Sequence, residues 1–234
     1  MKSITRLRLI LLLLFSTVIY SYGQRLEKKV PNFKDIIHNI DTLDILPPYV
    51  DIKVVYSENK ISQDSAYSLK LSDTLTYIIS KLLNKKYHLH RLPKENRVSR
   101  KFLKDINPLL YKLDNTNSVL PDIELEDSIV KMDNSKSRYS LITVFNGYYV
   151  SLEKRNKDAL EMLPQSILVG VLSLGTLTVA PNEQSLFTGK FILYDNVKKR
   201  VLFYKTDFRA DLHNVGFYMY NQIVMDNLKG LYYK

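Results

Sequence analysis

The chain has 234 residues, 45% of them hydrophobic and 25% charged, and a formal net charge of +10. Those proportions exclude a disordered or low-complexity polymer and fit a globular chain long enough to bury a core. Cysteine is absent, which excludes a disulfide framework, a thiolate metal centre and a cysteine nucleophile.

The chain opens with Lys2, Arg6 and Arg8, then an apolar run over residues 9–20, then Ser21-Tyr22-Gly23 with small residues at −3 and −1. That order reads as a secretory signal peptide over residues 1–23, cleaved after Gly23 to leave a periplasmic or extracellular product. The run, about 12 residues, falls short of the length needed to span roughly 30 Å of hydrocarbon. Cleavage removes three cations and no acid, so the charge falls from +10 to +7. Such an excess favours anionic neighbours such as lipid headgroups or acidic glycans, and the expected partner is an envelope protein or an anionic surface, with peripheral membrane association possible. Export sets nucleic acid aside as a partner.

Residues 24–46 are charged, hold Pro31 and show no sustained period, and read as a lead-in segment. Pro47-Pro48 ends it, and residues 47–234 read as one α/β domain. Residues 49–56 (YVDIKVVY) alternate Val50, Ile52 and Val54 with Asp51 and Lys53, a strand pattern. Ser62–Asp64 offer helix N-caps, and Leu71, Leu75, Ile78, Ile79 and Leu82 make one helical face ending near Asn84. Residues 87–92 predict a short strand. Phe102, Leu103, Ile106, Leu110 and Leu113 line a second helix that Pro108 kinks or divides. Residues 121–132 predict a third, with acids in its first turns. Residues 139–150 (YSLITVFNGYYV) form the clearest strand, with Gly147 marking a bulge. Residues 162–182 carry no charge and read as a buried helix followed by a strand, with membrane insertion as the competing reading. Residues 190–194 and 200–206 form a hairpin about a turn at 195–199, and residues 215–231 a final helix on Phe217, Tyr220, Val224 and Leu228.

No residue set carries a specific chemistry. His88-Leu89-His90 in a strand puts both imidazoles on one face, a spacing zinc can use, but no third ligand accompanies them and no metal or cofactor is assigned. Ser57–Lys60 and Ser128–Lys131 match S-x-x-K without its companion boxes, and Tyr77-x3-Lys81 has no glycine-rich nucleotide loop. The acids Asp122, Glu124, Glu126 and Asp127 sit where a helix dipole accounts for them.

The strand leaving a proline break (ILPPYVDIKVVY), the long helix after it, the central strand YSLITVFNGYYV, the apolar stretch and the hairpin FILYDNVKKRVLFY together resemble one family. It is the α/β domain of the curli secretion channel protein, the outer-membrane activators of penicillin-binding proteins and the amino-terminal domain of the Tol translocation protein. In that family the hairpin turn carries an Asp and then a Gly; here Asp195 is in place and Lys199 stands near the Gly position. The lipid-anchor Cys common there is missing. The resemblance implies a non-catalytic envelope module that binds partners.

These readings converge on an α/β fold: a single mixed β-sheet with helices on both faces, a three-layer sandwich. The expected function is that of an exported, non-catalytic accessory protein acting through protein–protein contacts in envelope assembly or secretion. A secreted hydrolase with dispersed active-site residues, or a protein inserted through residues 162–182, are the alternatives. Lys85, Lys86, Lys198, Lys199 and Arg200 are the candidate partner-binding residues, because each falls in a predicted turn or strand end.

Overall fold

The computed structural model describes residues 25–57, 60–91, 100–115, 120, 137–154, 156–158, 185–211 and 216–232. The expected signal peptide, the helix at 121–132 and the segment 162–182 lie outside the described residues. Within them the elements run β1 (Arg25–Lys29), α1 (Phe33–His38), β2 (Thr42–Ile45), β3 (Tyr49–Ser57), β4 (Lys60–Gln63), α2 (Ser65–Leu83) and β5 (His88–Arg91). They continue through α3 (Arg100–Asn115), β6 (Tyr139–Val150), β7 (Ser185–Asp195), β8 (Arg200–Asp211) and α4 (Phe217–Tyr232). The described strands form one mixed sheet in the order β1-β8-β7-β6-β2-β5, with β3 also on β6 and β4 on β3.

β6 is the axis of this sheet. It pairs antiparallel with β7 on one edge, and its other edge takes both β2 and β3 in parallel. β2 and β3 are therefore one strand interrupted by Leu46-Pro47-Pro48: Ile45 lies opposite Leu141 and Tyr49 opposite Val144, so three residues face two. The prolines have no N–H to give to a ladder, and the break lets each half take its own outer neighbour. β5 lies parallel on β2, and β4 turns back antiparallel on β3. The lead-in reading of residues 24–46 missed this region's order. β1 pairs with β8 and β2 is an inner strand; their short lengths leave too few residues for a period to show.

Alternation along β7 separates the two covered faces. A Cβ on Gly189 would stand 3.2 Å from Ile223 of α4, whereas the neighbouring Lys190 reaches Asp114 of α3 at 2.6 Å. Helices thus lie on both faces. On the first, Tyr220 of α4 packs edge-on against Phe145 and Phe187, α2 lies beside α4, and Phe33 of α1 stacks on Phe203. On the second, Ile106, Leu109, Leu110 and Leu113 of α3 are buried. With both faces covered, residues 140–145 are buried without a break, the expected behaviour of an inner strand.

The helix faces match the sequence pattern at Leu71, Leu75, Ile78 and Ile79, and at Tyr220, Val224 and Leu228. Asp64 is the N-cap of α2, its carboxylate accepting the Tyr67 N–H at 2.9 Å. Phe217, expected in the α4 stripe, is instead exposed at its first position. Serines on the buried face of α2 tie it to β3: Ser68 Oγ accepts the Ile52 N–H at 3.0 Å and Ser72 Oγ donates to the Pro48 carbonyl at 2.7 Å. α3 runs unbroken through Pro108. Its C-terminal turn is held by the buried Lys28 of β1, which donates to the Leu113 and Asp114 carbonyls, and by Tyr204 and Lys190 on the Asp114 carboxylate. Burial lowers the Lys28 pKa, an effect the nearby Asp114 charge opposes.

Gly147 is not at a bulge. It sits in regular register between Ile52 and Phe187, and the register shifts fall at Val55/Ser57 and Leu193/Tyr194. Glycine is required there by close approach: a Cβ would lie 2.4 Å from the Leu186 carbonyl oxygen and 2.7 Å from the Phe187 ring. Gly147→Ala should therefore destabilise the protein by about 2–3 kcal/mol in denaturant titration. Gly230, late in α4 with nothing within 4 Å of its would-be Cβ, gives the contrast: Gly230→Ala should stabilise by about 0.5–1 kcal/mol.

Candidate functional site

The β7–β8 turn begins at Asp195, whose carboxylate is buried. It accepts the Val197 and Lys198 N–H groups, each at 3.0 Å, and is clamped by Arg138, whose Nη2 lies 2.9 Å from Oδ2. Asn196 completes the anchorage: its N–H donates to the Arg138 carbonyl at 2.7 Å, and its side chain donates to the Ser137 carbonyl and Ser140 Oγ. Lys199 takes the left-handed conformation, φ 50°, at the position where the resemblance places a glycine. The result is a rigid turn displaying Val197, Lys198 and Lys199 to solvent, with Arg200 half-buried at the start of β8.

Lys85 and Lys86, more than a hundred residues earlier, belong to the same end of the sheet. Ser137 Oγ donates to the Thr42 carbonyl at 2.7 Å, Thr42 lies opposite His88, and the two lysines immediately precede that strand, just after α2. Lys85 is exposed. Lys86 donates to the Leu231 carbonyl at 3.1 Å, the last turn of α4, and lies 5.2 Å from the Tyr87 ring centroid. The five expected residues thus share one end of the sheet, joined there by Arg138 over the Tyr139 ring at 5.1 Å. Sequence reasoning missed Arg138, Asn196 and Val197. The Asp-Asn pair at 195–196 was the available signal, since both side chains bond their own backbone in turns.

The histidines lie next to this end. His88 is exposed, and His90 sits opposite the buried Asp44, its Nδ1 3.3 Å from Oδ1 but outside hydrogen-bond alignment. The other Asp44 oxygen accepts the Ser137 N–H at 3.0 Å. Among the described residues no three His, Asp or Glu side chains converge as a metal set. Tyr77 and Lys81 face solvent as a cation–π pair, with Lys81 Nζ 5.9 Å from the ring centroid. Ser57 and Lys60 face each other across the β3–β4 pairing. Ser128, Lys131 and the acids at 122–127 lie outside the described residues.

The opposite end of the sheet is phenolic. Tyr149 donates to Asp64 at 2.7 Å, and the Tyr67 and Tyr220 hydroxyls share a hydrogen bond of 2.6 Å. Burial pushes the pKa of all three tyrosines up. Tyr56, Phe217 and Tyr218 are exposed.

No protein-family profile matches the chain, and no curated protein matches it. Solved structures similar in shape include two of the PelC dodecamer from Paraburkholderia phytofirmans: one in space group P6, the other an L103M variant in space group C2. Their identities are 10% and 11% and their TM-scores 0.40 and 0.39, over 91% of this chain and 99% of theirs. At that level of similarity, function has to be read from the chain's own geometry.

Asp195 supplies a pH test. Burial alone would raise its pKa, but Arg138 and the two backbone N–H groups outweigh burial and hold it below the usual carboxylate range. A carboxylate depressed in the folded state stabilises fully above its unfolded pKa of about 3.9 and loses that contribution as pH falls through the folded value. Asp195→Ala should cost about 2 kcal/mol at neutral pH. Measured by denaturant titration, the gap between the variant and the unsubstituted protein should shrink below about pH 4.

Proposed function

We propose that the chain is an exported, non-catalytic accessory protein working by protein–protein contact in envelope assembly or secretion, with its basic end steering it onto an anionic partner surface. The observation that carries this reading is the β7–β8 turn, a cationic loop fixed in place by a buried carboxylate and an ion pair. A surface ordered before binding loses little further entropy on contact, and fixed charges raise encounter rates without needing deep burial. Lys198, Lys199 and Lys85 are the steering charges. Lys86 and Arg200, which are half-buried, support them.

Crosslinked pull-down from native envelopes tests the proposal. The protein should recover an envelope component at low salt and lose it steeply towards physiological salt, where screening shortens to about 8 Å. Lys198→Glu with Lys199→Glu should reduce recovery at least tenfold, by the reach of two reversed charges, and move Tm by no more than about 2 °C, since exposed charges add little stability. Recovery indifferent to salt and to both substitutions would refute the steering role.

Membrane insertion through residues 162–182 remains the second reading, motivated by that segment's lack of charge. Among the described residues no helix is long and apolar enough to cross a membrane. Release of the protein by washing envelopes at high pH would exclude insertion, and retention would favour it.

A further inference from the structure

We infer that the basic end of the sheet is a bilayer-docking face that takes phosphate-bearing lipid headgroups. The inference rests on the proposed contact function and names the surface its cations meet. Strands β7, β6, β2 and β5 are successive neighbours, so the β7–β8 turn and the α2–β5 junction lie about 14 Å apart at the usual strand spacing. That separation exceeds one screening length at physiological salt, about 8 Å, so the two groups do not reinforce each other through solvent. They share one edge, where a single flat surface can meet Lys85, Lys86, Lys198, Lys199 and Arg200 together, while Arg138 is neutralised by Asp195 and adds no net charge. Asp195 is consumed by Arg138 and the turn, and the exposed acids of the neighbouring loop and helix are Asp41 and Asp35, the latter next to the exposed Lys34.

Two features favour a lipid surface over a soluble polyanion. At the tip of the turn Val197 is 72% exposed, between Asn196 and the two lysines. An apolar side chain beside two lysines gains nothing from a hydrated polyanion, but it buries surface when the cations rest on headgroups and it enters the acyl boundary. Tyr139, half-buried, stands under Arg138 as a cation–π pair, an aromatic ring at the level where amphipathic side chains collect at a bilayer interface; Tyr87, beneath Lys86, is buried and belongs to the core. The helix ends would otherwise oppose docking, because α2 and α4 both terminate here with their carbonyls, the negative pole of each helix. Lys86 and Tyr87 both donate to the Leu231 carbonyl, which places cationic charge over one of those poles. The exposed aromatics at the far end are left facing away from the bilayer, where a protein partner can reach them.

Co-sedimentation of the purified full chain with vesicles tests the inference, comparing phosphatidylcholine alone with phosphatidylcholine containing phosphatidylglycerol. Binding should require the anionic lipid and weaken with salt. Each basic residue near such a surface is worth about fivefold in affinity, so Lys198→Glu with Lys199→Glu should lose more than about twentyfold. Lys60→Glu with Lys70→Glu, the same charge change at exposed positions away from this end, should lose several times less. Val197→Ser should weaken vesicle binding while leaving binding to soluble heparin unchanged. Equal binding to neutral vesicles, or equal losses for the two reversed pairs, would overturn the inference. So would an unchanged Val197→Ser affinity for vesicles, the outcome that assigns the face to a soluble polyanion. Absence of vesicle binding alongside salt-sensitive, Lys198/Lys199-dependent recovery of an envelope protein would overturn docking on lipid and leave the proposed contact function standing.

Discussion

A peptide ladder needs an N–H at every second residue along each edge, and Pro47-Pro48 withholds two in succession beside the central strand. The chain answers by letting β2 and β3 share one edge of β6 with a three-against-two step between them. The rest of the topology follows from that step. Because the outer edge is cut in two, β4 can turn back on β3 while β5 joins β2, and α2 must cross from one half to the other. Ser72 fixes the crossing by donating to the Pro48 carbonyl. The same crossing delivers Lys85 and Lys86 to the end of the sheet where the β7–β8 turn emerges, so the arrangement of the cations is a consequence of where two prolines fall.

Buried polar groups are used in this fold as joints between layers. Lys28 binds the end of α3 to the edge strand, and the Asp207 carboxylate takes Arg209 at 3.0 Å and Asn227 of α4 at 3.3 Å. The Arg138–Asp195 pair holds a turn to the first residues of β6. Charges placed this way do little for net stability compared with apolar side chains of the same volume, but leaving one partner alone is costly. They fix register and orientation where an apolar contact would slide. The β7–β8 turn is the clearest case: its exposed lysines are positioned by a carboxylate that solvent does not reach.

The elements legible in the sequence were those whose pattern is long enough to repeat. YVDIKVVY, YSLITVFNGYYV and the apolar stripes of α2 and α4 appear close to their expected limits, and the hairpin turns where expected although its strands run five residues further at each outer end. β1, β2 and β4 have only four or five residues each, fewer than a periodicity needs to separate from noise, and their strand character comes from neighbours distant in sequence. Gly147 was recognised as special for the wrong reason, because a glycine in a strand signals a bulge and a close approach equally. For the candidate site, the lysines of the turns could be chosen on solvent exposure alone. Their convergence, and the part played by Arg138, depended on parallel pairing between β2, β5 and β6, which no local pattern encodes.

The pairing of β1 with β8 bears on how the chain reaches its native state. Arg25 lies opposite Asp207 and Lys29 opposite Phe203, so the first described strand has its place only beside the last described one. Contacts of such sequence separation form late, since closing the loop costs entropy before any pairing repays it. A chain made amino terminus first has no finished sheet edge until residues 203–207 have been added. Until then Lys28 has no Tyr204 opposite it, and α3 lacks one of the joints that hold it to the sheet. Slow completion of this kind leaves the outer edge of the sheet open until its last described strand exists.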